Sequence, residues 1–472
     1  MTAVEIRAAT GERIGEAVTR LLARTPDSDG RLVAAGVAVT VVDPIALFAA
    51  AAEADLEAAL WLRPSEGLAL VGVGRAWAAE GAGPTRFHDA EAAWRDLLRD
   101  ATLEGNAAPT LLGGLGFTGR TPAGDDPWAP FGPSSMVLPK LLLTTRGAAS
   151  TLTASAVGAP DPRAVDAHWE SLVERARALT PPAQGMVARP VFAPLRTERS
   201  QPDHAGWHRL VGTMAGAVGR GRLDKVVLAR RVDLRAPVEL DVPYALRRLA
   251  ASAPESTIYA FRRAGCTFLG ATPERLVRVE GRTFRTAAVA GTIGRGVDAA
   301  EDARLALELL ASEKDREEHA IVVTAIRELL APVAERITVA PSPSVMTLRF
   351  VQHLATEIEG TLPEHAGLLA LGERLHPTPA VGGEPRDAAL AMIDEHEGFD
   401  RGWYAGPVGW LDGAGDGELC VALRCGIVDR TRATLFAGCG IVADSDPARE
   451  WEESRIKLRA VVSALGMLED EP

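Results

Sequence analysis

Long apolar runs are absent from this sequence of 472 residues. No window of eighteen residues is free of charge, and the most apolar segment, 44–62, is interrupted by Glu53, Asp55 and Glu57. This excludes an ordinary membrane-spanning helix. The N-terminal residues MTAVEIRAATGER also lack the apolar core of a signal peptide. We therefore expect a cytoplasmic protein with no membrane partner.

Cysteine is scarce, with four residues at positions 266, 420, 425 and 439. None belongs to a C-x-x-C pair, and no group of histidines lies close to any of them in sequence. Zinc sites need several such ligands at short spacing, so a zinc protein is not expected. We predict that these cysteines are small buried side chains in a reducing compartment.

Net positive charge is also missing, since the formal charge is −12 and the calculated pI is about 5.4. This argues against nucleic acid or an anionic membrane surface as a partner. No G-x-G-x-x-G segment stands between a strand and a helix, so dinucleotide binding is not predicted either. A small anionic substrate stays possible, but it requires a local group of cations or a metal.

Lysine is rare among the basic residues. Of 51 lysines and arginines, only Lys140, Lys225, Lys314 and Lys457 are lysines. At positions where lysine and arginine would function equally well, a sequence so rich in arginine is expected to contain arginine. A compact charge, or an amine that can lose its proton, is a property that arginine does not supply. These four positions are therefore the first candidates for chemistry.

The hydrophobic pattern predicts an α+β protein. Strands are expected at 31–42, 68–73, 135–145, 225–234, 405–411, 418–429 and 432–442, and helices at 161–179, 204–219, 244–253, 299–330, 386–396 and 447–468. The helix over 299–330 has a possible interruption near Ser312. Consecutive strands are joined by short turns, which favours antiparallel pairing over a doubly wound parallel sheet.

Two predicted helices place acidic side chains on one face. Glu450, Glu453 and Lys457 share a face of the last helix, and Asp315 and Glu318 share a face of an earlier one. Carboxylates that point into an apolar groove are costly unless a cation neutralises them, and Mg²⁺ is bound by one or two of them. For either helix alone, an ordinary solvated charged face explains the pattern at least as well.

Two further residues are candidates for proton transfer. Lys225 opens the apolar strand KVVLAR, and Glu274 lies in the turn GATPERL. Partial burial shifts the pKa of a lysine and of a glutamic acid towards neutrality, as a general base and a general acid require. From spacing alone, a strand-end charge at Lys225 and an exposed turn residue at Glu274, paired with Arg275, are the better interpretations.

Eight segments, in order, resemble motifs of the chorismate-utilising enzymes over residues ~203–468. They are KVVLARR, GATPERL, AGTIGRG, SEKDREEH, HPTPAVGG, DRGWYAGPVGW, ALRCGIV and AGCGIVADSDPAREWEE. This resemblance implies large mixed or antiparallel sheets packed together with helices on the outside. It also implies a variable N-terminal part, 1–200, and a chorismate-binding catalytic region, 201–472, within one compact unit.

The resemblance implies roles for individual positions. Lys225 resembles the general base, and Glu274 the general acid. The metal positions are Glu318 and Glu453, with Asp315 and Glu450 as acidic support, and the implied cofactor is Mg²⁺. The positions that resemble substrate contacts are Thr292, His353, Ala380, Tyr404, Arg424, Gly438 and Lys457.

The segment HPTPAVGGEPR resembles the isochorismate synthases within the family. The amino-transferring members of the family have a pattern with Thr or Ser at the position that resembles Ala380, and with lysine where this sequence has Arg386. The expected function is therefore isomerisation of chorismate to isochorismate, in menaquinone or siderophore biosynthesis. Salicylate synthase and a catalytically silent paralogue that binds similar acids are the alternatives. The expected partner is chorismate, and the expected state is a monomer or weak homo-oligomer.

Overall fold

The computed structural model describes residues 12–25, 28–181, 195–347, 351–364 and 366–466, without the side chains of Lys314 and Glu318. Its helices are α1 Ile14–Arg24, α2 Pro44–Glu53, α3 Arg86–Arg99, α4 Pro162–Leu179, α5 His204–Gly219, α6 Val242–Ser252, α7 Ala299–Ala311, α8 Glu313–Leu330, α9 Leu368–Leu375, α10 Arg386–His396 and α11 Pro447–Ala464. Its strands before residue 200 are β1 Leu32–Val39, β2 Ala58–Arg63, β3 Leu68–Val73, β4 Trp77–Glu80, β5 Thr102–Gly105, β6 Thr110–Leu115, β7 Ser134–Leu138, β8 Leu141–Arg146 and β9 Ala149–Val157.

The next strand, β10, is Arg196–Gln201. It is followed by β11 Lys225–Arg235, β12 Thr257–Arg263, β13 Cys266–Thr272, β14 Arg275–Glu280, β15 Thr283–Gly294, β16 Arg336–Val339, β17 Ser344–Thr347, β18 Val351–Thr361, β19 Gly383–Glu384, β20 Pro407–Asp412, β21 Gly417–Val421, β22 Cys425–Asp429 and β23 Arg432–Ile441.

These strands form two large sheets. Sheet A has thirteen strands in the order β10-β11-β23-β22-β13-β12-β2-β3-β8-β9-β1-β5, with β19 beside β11. Sheet B has ten in the order β16-β18-β15-β14-β21-β20-β6-β7-β4, with β17 beside β18. The pair β1–β5 is parallel, and the other pairings in the described part of the chain are antiparallel. The α+β prediction with large mixed sheets is confirmed.

Aspartates begin many of the helices. The carboxylates of Asp43, Asp161, Asp203, Asp241 and Asp446 each accept a hydrogen bond from a backbone amide in the first turn. These amides have no partner within their helix, so the cap stabilises each helix by about 1 kcal/mol. The cap at Asp241 also explains why α6 begins two residues earlier than predicted.

The long helix predicted over 299–330 is interrupted at Ser312, as expected. Ser312 ends α7 and begins α8, with extended backbone between them. The amide of Asp315 donates to the Ser312 hydroxyl at 3.3 Å, which satisfies one amide of the new helix. The interruption turns α8 into a separate helix that packs on β15 and β18.

Two of the predicted strands are each divided between the sheets. The segment 135–145 forms β7 in sheet B and β8 in sheet A, separated at Pro139, and 418–429 forms β21 in sheet B and β22 in sheet A. Arg424, just before β22, has a φ of +49°, which ends the extended run. The prediction of one continuous strand was wrong in both cases, because the apolar alternation continues through the change of sheet.

The space between the sheets is filled by aromatic side chains. Trp128 contacts Phe131, Phe268 and Phe436, with ring centroids 4.9–6.0 Å apart, and Trp403 packs edge-on against Phe268. Truncating a buried aromatic of this kind to alanine typically costs about 3–5 kcal/mol. A second apolar cluster lies between sheet A and the helices α1, α2, α4 and α6. No helix in the described ranges is long and apolar enough to cross a membrane.

Candidate active site

A cavity that opens to solvent lies between β11, β23, α11 and three connecting segments, with about 400 Å³ of empty space including its mouth. It is lined by Val227, Ala380, Val381, Tyr404, Ala405, Leu423, Arg424, Phe436, Ala437, Gly438 and Lys457. Five of the seven positions predicted to contact substrate therefore come together here. They originate from five separate parts of the chain, between residues 380 and 457.

Thr292 and His353 form a pair beside this cavity without lining it. They lie opposite each other on β15 and β18, and the Thr292 hydroxyl is 2.9 Å from Nδ1 of His353. Burial lowers the pKa of His353, and the charges of Arg424 and Lys457 lower it further. The imidazole is therefore neutral near pH 7. It can form a neutral hydrogen bond with the Thr292 hydroxyl.

Glu274 lies where the chain crosses from β13 in sheet A to β14 in sheet B. Its amide donates to the Thr272 hydroxyl at 3.2 Å, and its carbonyl accepts from the amide of Val421 at 3.0 Å. Burial raises the pKa of its carboxyl group, while the charges of Arg424 and Lys225 partly oppose that rise. A glutamic acid held in this way remains protonated to higher pH than an exposed one.

Lys225 is the first residue of β11, and its backbone is paired with Glu384 of β19. Its side chain lies across Gly440 of the neighbouring strand. A Cβ at position 440 would come within 2.5 Å of the Lys225 Cε and 3.1 Å of its Nζ. Glycine at 440 therefore provides the space in which this amine is held.

Two cations face the cavity from opposite elements. Arg424 lies at the crossover between β21 and β22, and burial lowers the pKa of its guanidinium. Lys457 of α11 donates from Nζ to the carbonyl of Gly438 at 2.8 Å and forms an ion pair with Glu453 at 2.6 Å. Together they give a positively charged wall in a protein of negative net charge.

Tyr404 and Gly438 fit tightly against each other. The ring of Tyr404 stacks on Phe436, with centroids 5.3 Å apart, and burial raises the pKa of its hydroxyl. A Cβ at position 438 would lie 2.8 Å from that hydroxyl and 2.6 Å from the carbonyl oxygen of Leu228. Glycine is therefore needed at 438 for the close approach of β23 and Tyr404.

An acidic cluster lies at the start of α11. The candidate ligand atoms of Cys439, Glu450 and Glu453 are within 4.8 Å of one another. Burial raises the pKa of Glu450, and the neighbouring Glu453 raises it further. Burial raises the pKa of the Cys439 thiol to about 12, so it stays protonated, and it donates to the carbonyl of Glu450 at 3.2 Å. Two carboxylates without a thiolate suit a hard cation such as Mg²⁺ better than Zn²⁺.

The other two predicted metal positions are on α8. The carboxylate of Asp315 accepts a hydrogen bond from the Ser312 hydroxyl, and it is not part of the acidic cluster. Asp315 also lies against β15, because a Cβ at Gly291 would be 3.3 Å from its Oδ1. The side chain of Glu318 lies outside the described part of the structure.

A buried ion pair behind the cavity was missed in the sequence. Arg401 and Glu397 are both 2% exposed and bonded to each other. Arg401 donates to the carbonyls of Val227 at 2.7 Å and Val381 at 2.9 Å, and Glu397 accepts from the amide of Ala229 at 2.7 Å. The pair thus fixes two walls of the cavity. Its i, i+4 spacing was a usable signal, although it does not reveal burial. Cys439, beside the acidic cluster, was likewise missed.

Comparison with known proteins supports one family throughout. Residues 17–466 match the family described as "Chorismate binding enzyme". The chain is 40% identical to the salicylate biosynthesis isochorismate synthase of Pseudomonas aeruginosa over 446 residues, covering 93% of this chain and 92% of that protein. It is 33% identical to isochorismate synthase MenF of Bacillus subtilis over 423 residues, covering 86% and 87%.

Solved structures agree with these relatives. MenF, the menaquinone-specific isochorismate synthase from Escherichia coli, superimposes with a TM-score of 0.78 at 25% identity, covering 95% of this chain and 99% of that one. A putative 2,3-dihydroxybenzoate-specific isochorismate synthase, DhbC from Bacillus anthracis, gives 0.68 at 27% identity, covering 87% and 97%. The similarity extends through both sheets and the last helix, and the chain belongs to the chorismate-binding enzyme family.

Proposed function

We propose that this chain is an isochorismate synthase, which converts chorismate to isochorismate with the help of Mg²⁺. One observation carries the proposal. Glu274, whose pKa is raised by burial, lies within electrostatic reach of Lys225, Arg424 and Lys457. An acid and a candidate base thus lie close to the two cations, Arg424 and Lys457, that line the cavity. The names of relatives that cover most of the chain support the same activity.

Chorismate carries two carboxylates, and the positive wall of the cavity suits them. Arg424 offers a planar donor pair to one carboxylate, and Lys457 offers a compact charge. Tyr404 and the Thr292–His353 pair offer neutral hydrogen bonds. In a chain of net charge −12, these local cations are what makes binding of a dianion favourable.

The reaction needs one proton removed and one supplied. Lys225, as the neutral amine, takes a proton from water as the oxygen forms a bond to C2 of chorismate. The ring double bonds shift, and the C4–O bond breaks as Glu274 gives its proton to the departing hydroxyl, which leaves as water. One water enters and one leaves, so the reaction is an isomerisation. Each proton transfer is typically worth ~10²–10⁴ in rate.

Glu318 and Glu453 are the residues that would hold Mg²⁺, with Asp315 and Glu450 as acidic support; Glu450 and Glu453 come together at the start of α11. The ion, when bound, supplies positive charge to a substrate carboxylate. Lys457 is paired with Glu453 in this structure, and it would become available to the substrate if Glu453 bound the ion instead.

We further propose a cytoplasmic enzyme, active as a monomer or weak homo-oligomer. In this protein, residues 1–200 are a variable part of the same compact unit as the catalytic region 201–472.

Ala380 lies on the cavity wall and supports isochorismate as the final product. A hydroxyl at this position could orient ammonia or assist the loss of pyruvate, and a methyl group offers neither. The test is to incubate the purified protein with chorismate and Mg²⁺ and to identify products by chromatography, with a lactate dehydrogenase assay for pyruvate. We expect isochorismate without pyruvate. Pyruvate in proportion to chorismate consumed would indicate a salicylate synthase, and no turnover would indicate a silent paralogue.

A further inference from the structure

A buried arginine lies directly behind the acidic cluster. Arg230 of β11 is 1% exposed, and its guanidinium carbon is 3.6 Å from the centroid of the Trp451 ring. Within the described residues, its Nε and Nη2 atoms have no hydrogen-bond acceptor. The indole face is therefore a principal partner of this buried charge.

Such a contact favours one position of the ring. Burial lowers the pKa of Arg230 to about 10, so the side chain is still charged at neutral pH. A buried charge without sufficient acceptors is unfavourable, and a cation over an indole face is most strongly attracted when both groups are desolvated. If Trp451 moves away, Arg230 loses this compensation.

Trp451 is placed so that its position determines that of two carboxylates. It follows Glu450 directly and precedes Glu453 by two residues on α11. Other contacts fix the same turn, since the Cys439 thiol donates to the Glu450 carbonyl and the ring of His204 packs edge-on against Trp451 at 4.9 Å. A shift of the indole therefore moves the acidic pair relative to β23.

We propose that Arg230 and Trp451 are a positioning pair for the metal site. Arg230 fixes Trp451, and Trp451 fixes the turn of α11 from which Glu450 and Glu453 reach the cation. Neither residue lines the cavity. The inference rests on the proposed function insofar as that function places Mg²⁺ at this cluster.

The test measures metal binding without chorismate and without turnover. Mn²⁺ replaces Mg²⁺ as the probe, because the signal of free Mn²⁺ in electron paramagnetic resonance falls as the ion is bound. Arg230→Met and Trp451→Leu should each weaken Mn²⁺ binding by ~10–100-fold, the usual effect of removing a group that orients metal ligands. Trp451→Phe keeps an aromatic face and should lose less than Trp451→Leu.

A double variant tests whether the two residues act as one unit. If they act through their mutual contact, Arg230→Met combined with Trp451→Leu should bind Mn²⁺ about as weakly as either single variant. Losses that multiply in the double variant would overturn the pair. Should Arg230→Met fail to fold, as judged by circular dichroism, the comparison of Trp451→Phe with Trp451→Leu still decides: equal binding by the two would overturn the inference.

Two controls separate this inference from the proposed function. Arg263→Met removes a comparable buried arginine, 5% exposed and 5.0 Å from the Trp403 ring, and should leave Mn²⁺ affinity unchanged. An equal loss in this variant would mean that general destabilisation is the cause, and would overturn the pair. Glu453→Ala should weaken binding; if it does not, the metal site itself is wrong. If Arg230→Met and Trp451→Leu bind Mn²⁺ as tightly as the parent while Glu453→Ala binds it more weakly, only the positioning role is refuted.

Discussion

Replacing Glu274 by glutamine should inactivate the enzyme and stabilise the protein at the same time. The carboxyl group is the proposed proton donor, so its loss should lower kcat by ~10²–10⁴. Burial raises the pKa of this group in the folded state, with the charges of Arg424 and Lys225 only partly opposing the rise. A raised pKa means that the ionised form is less stable in the folded protein than in the unfolded chain.

The sign of the stability effect follows from this. Below the ordinary pKa of glutamic acid the group is protonated in both states, and its ionisation costs nothing. As the pH rises above the ordinary pKa, the unfolded chain loses this proton while the folded protein keeps it, so the folded state becomes less stable. This loss of stability reaches its full value above the raised pKa of the folded state. Each unit of pKa difference corresponds to about 1.4 kcal/mol. Glutamine does not ionise, so the Glu274→Gln variant should become more stable than the parent, and the difference should grow as the pH rises.

The assay is urea denaturation of parent and Glu274→Gln at several values of pH from 4 to 8, together with isochorismate formation by chromatography. The matched control is Glu255→Gln, the same change at an exposed position before β12. That control should stay within about ±0.5 kcal/mol of the parent at every pH. If Glu274→Gln is no more stable than the parent at pH 8, the carboxyl group is not held in the environment described. If it keeps more than about a third of the parent's kcat, Glu274 is not the acid.

Three other changes test the remaining parts of the site. Lys225→Ala should lower kcat by ~10²–10⁴ with little change in melting temperature, as measured by turnover and thermal unfolding, and parental turnover would exclude it as the base. Activity should disappear with EDTA, and Glu453→Ala should raise the Mg²⁺ concentration needed for half-maximal rate; an unchanged Mg²⁺ titration would remove this carboxylate from the metal site. Gly438→Ala places a methyl group 2.6 Å from the carbonyl oxygen of Leu228 and 2.8 Å from the hydroxyl of Tyr404. It should destabilise the fold by about 1–3 kcal/mol and raise KM for chorismate, whereas an unchanged KM would mean that the methyl group fits.

Local signals in the sequence were sufficient where the structure obeys local rules. The spacing of apolar residues predicted α5 and α10 with their observed bounds, and Ser312 marked the division between α7 and α8. Helix geometry alone placed Glu450 and Glu453 on one face, and they do come together. The helix predicted over 447–468 is α11, which ends at Ala464; residues 467 and 468 lie outside the described part.

Signals that depend on the third dimension were not visible in the sequence. The alternation of apolar residues is the same before and after Arg424, so nothing in it revealed that β21 and β22 belong to different sheets. The partner of Arg230 is Trp451, more than 200 residues away, and no periodicity connects them. Asp315 shows a different difficulty. Its carboxylate can bond to Ser312 at the start of α8, support a metal ion, or do both, and the i, i+3 spacing from Glu318 is the same in each case.

The pairing of β11 with β23 has a consequence for synthesis on the ribosome. β11 begins with Lys225, but its partner β23 comes much later in the chain, so residues 226 and 441 cannot meet until all the residues between them have been made. Lys457 and the acidic pair emerge later still. Contacts between such distant residues form slowly, because a long loop must close first. A nascent or prematurely ended chain therefore has sheet edges but no complete pocket, and such products should burden chaperones and proteases without consuming substrate.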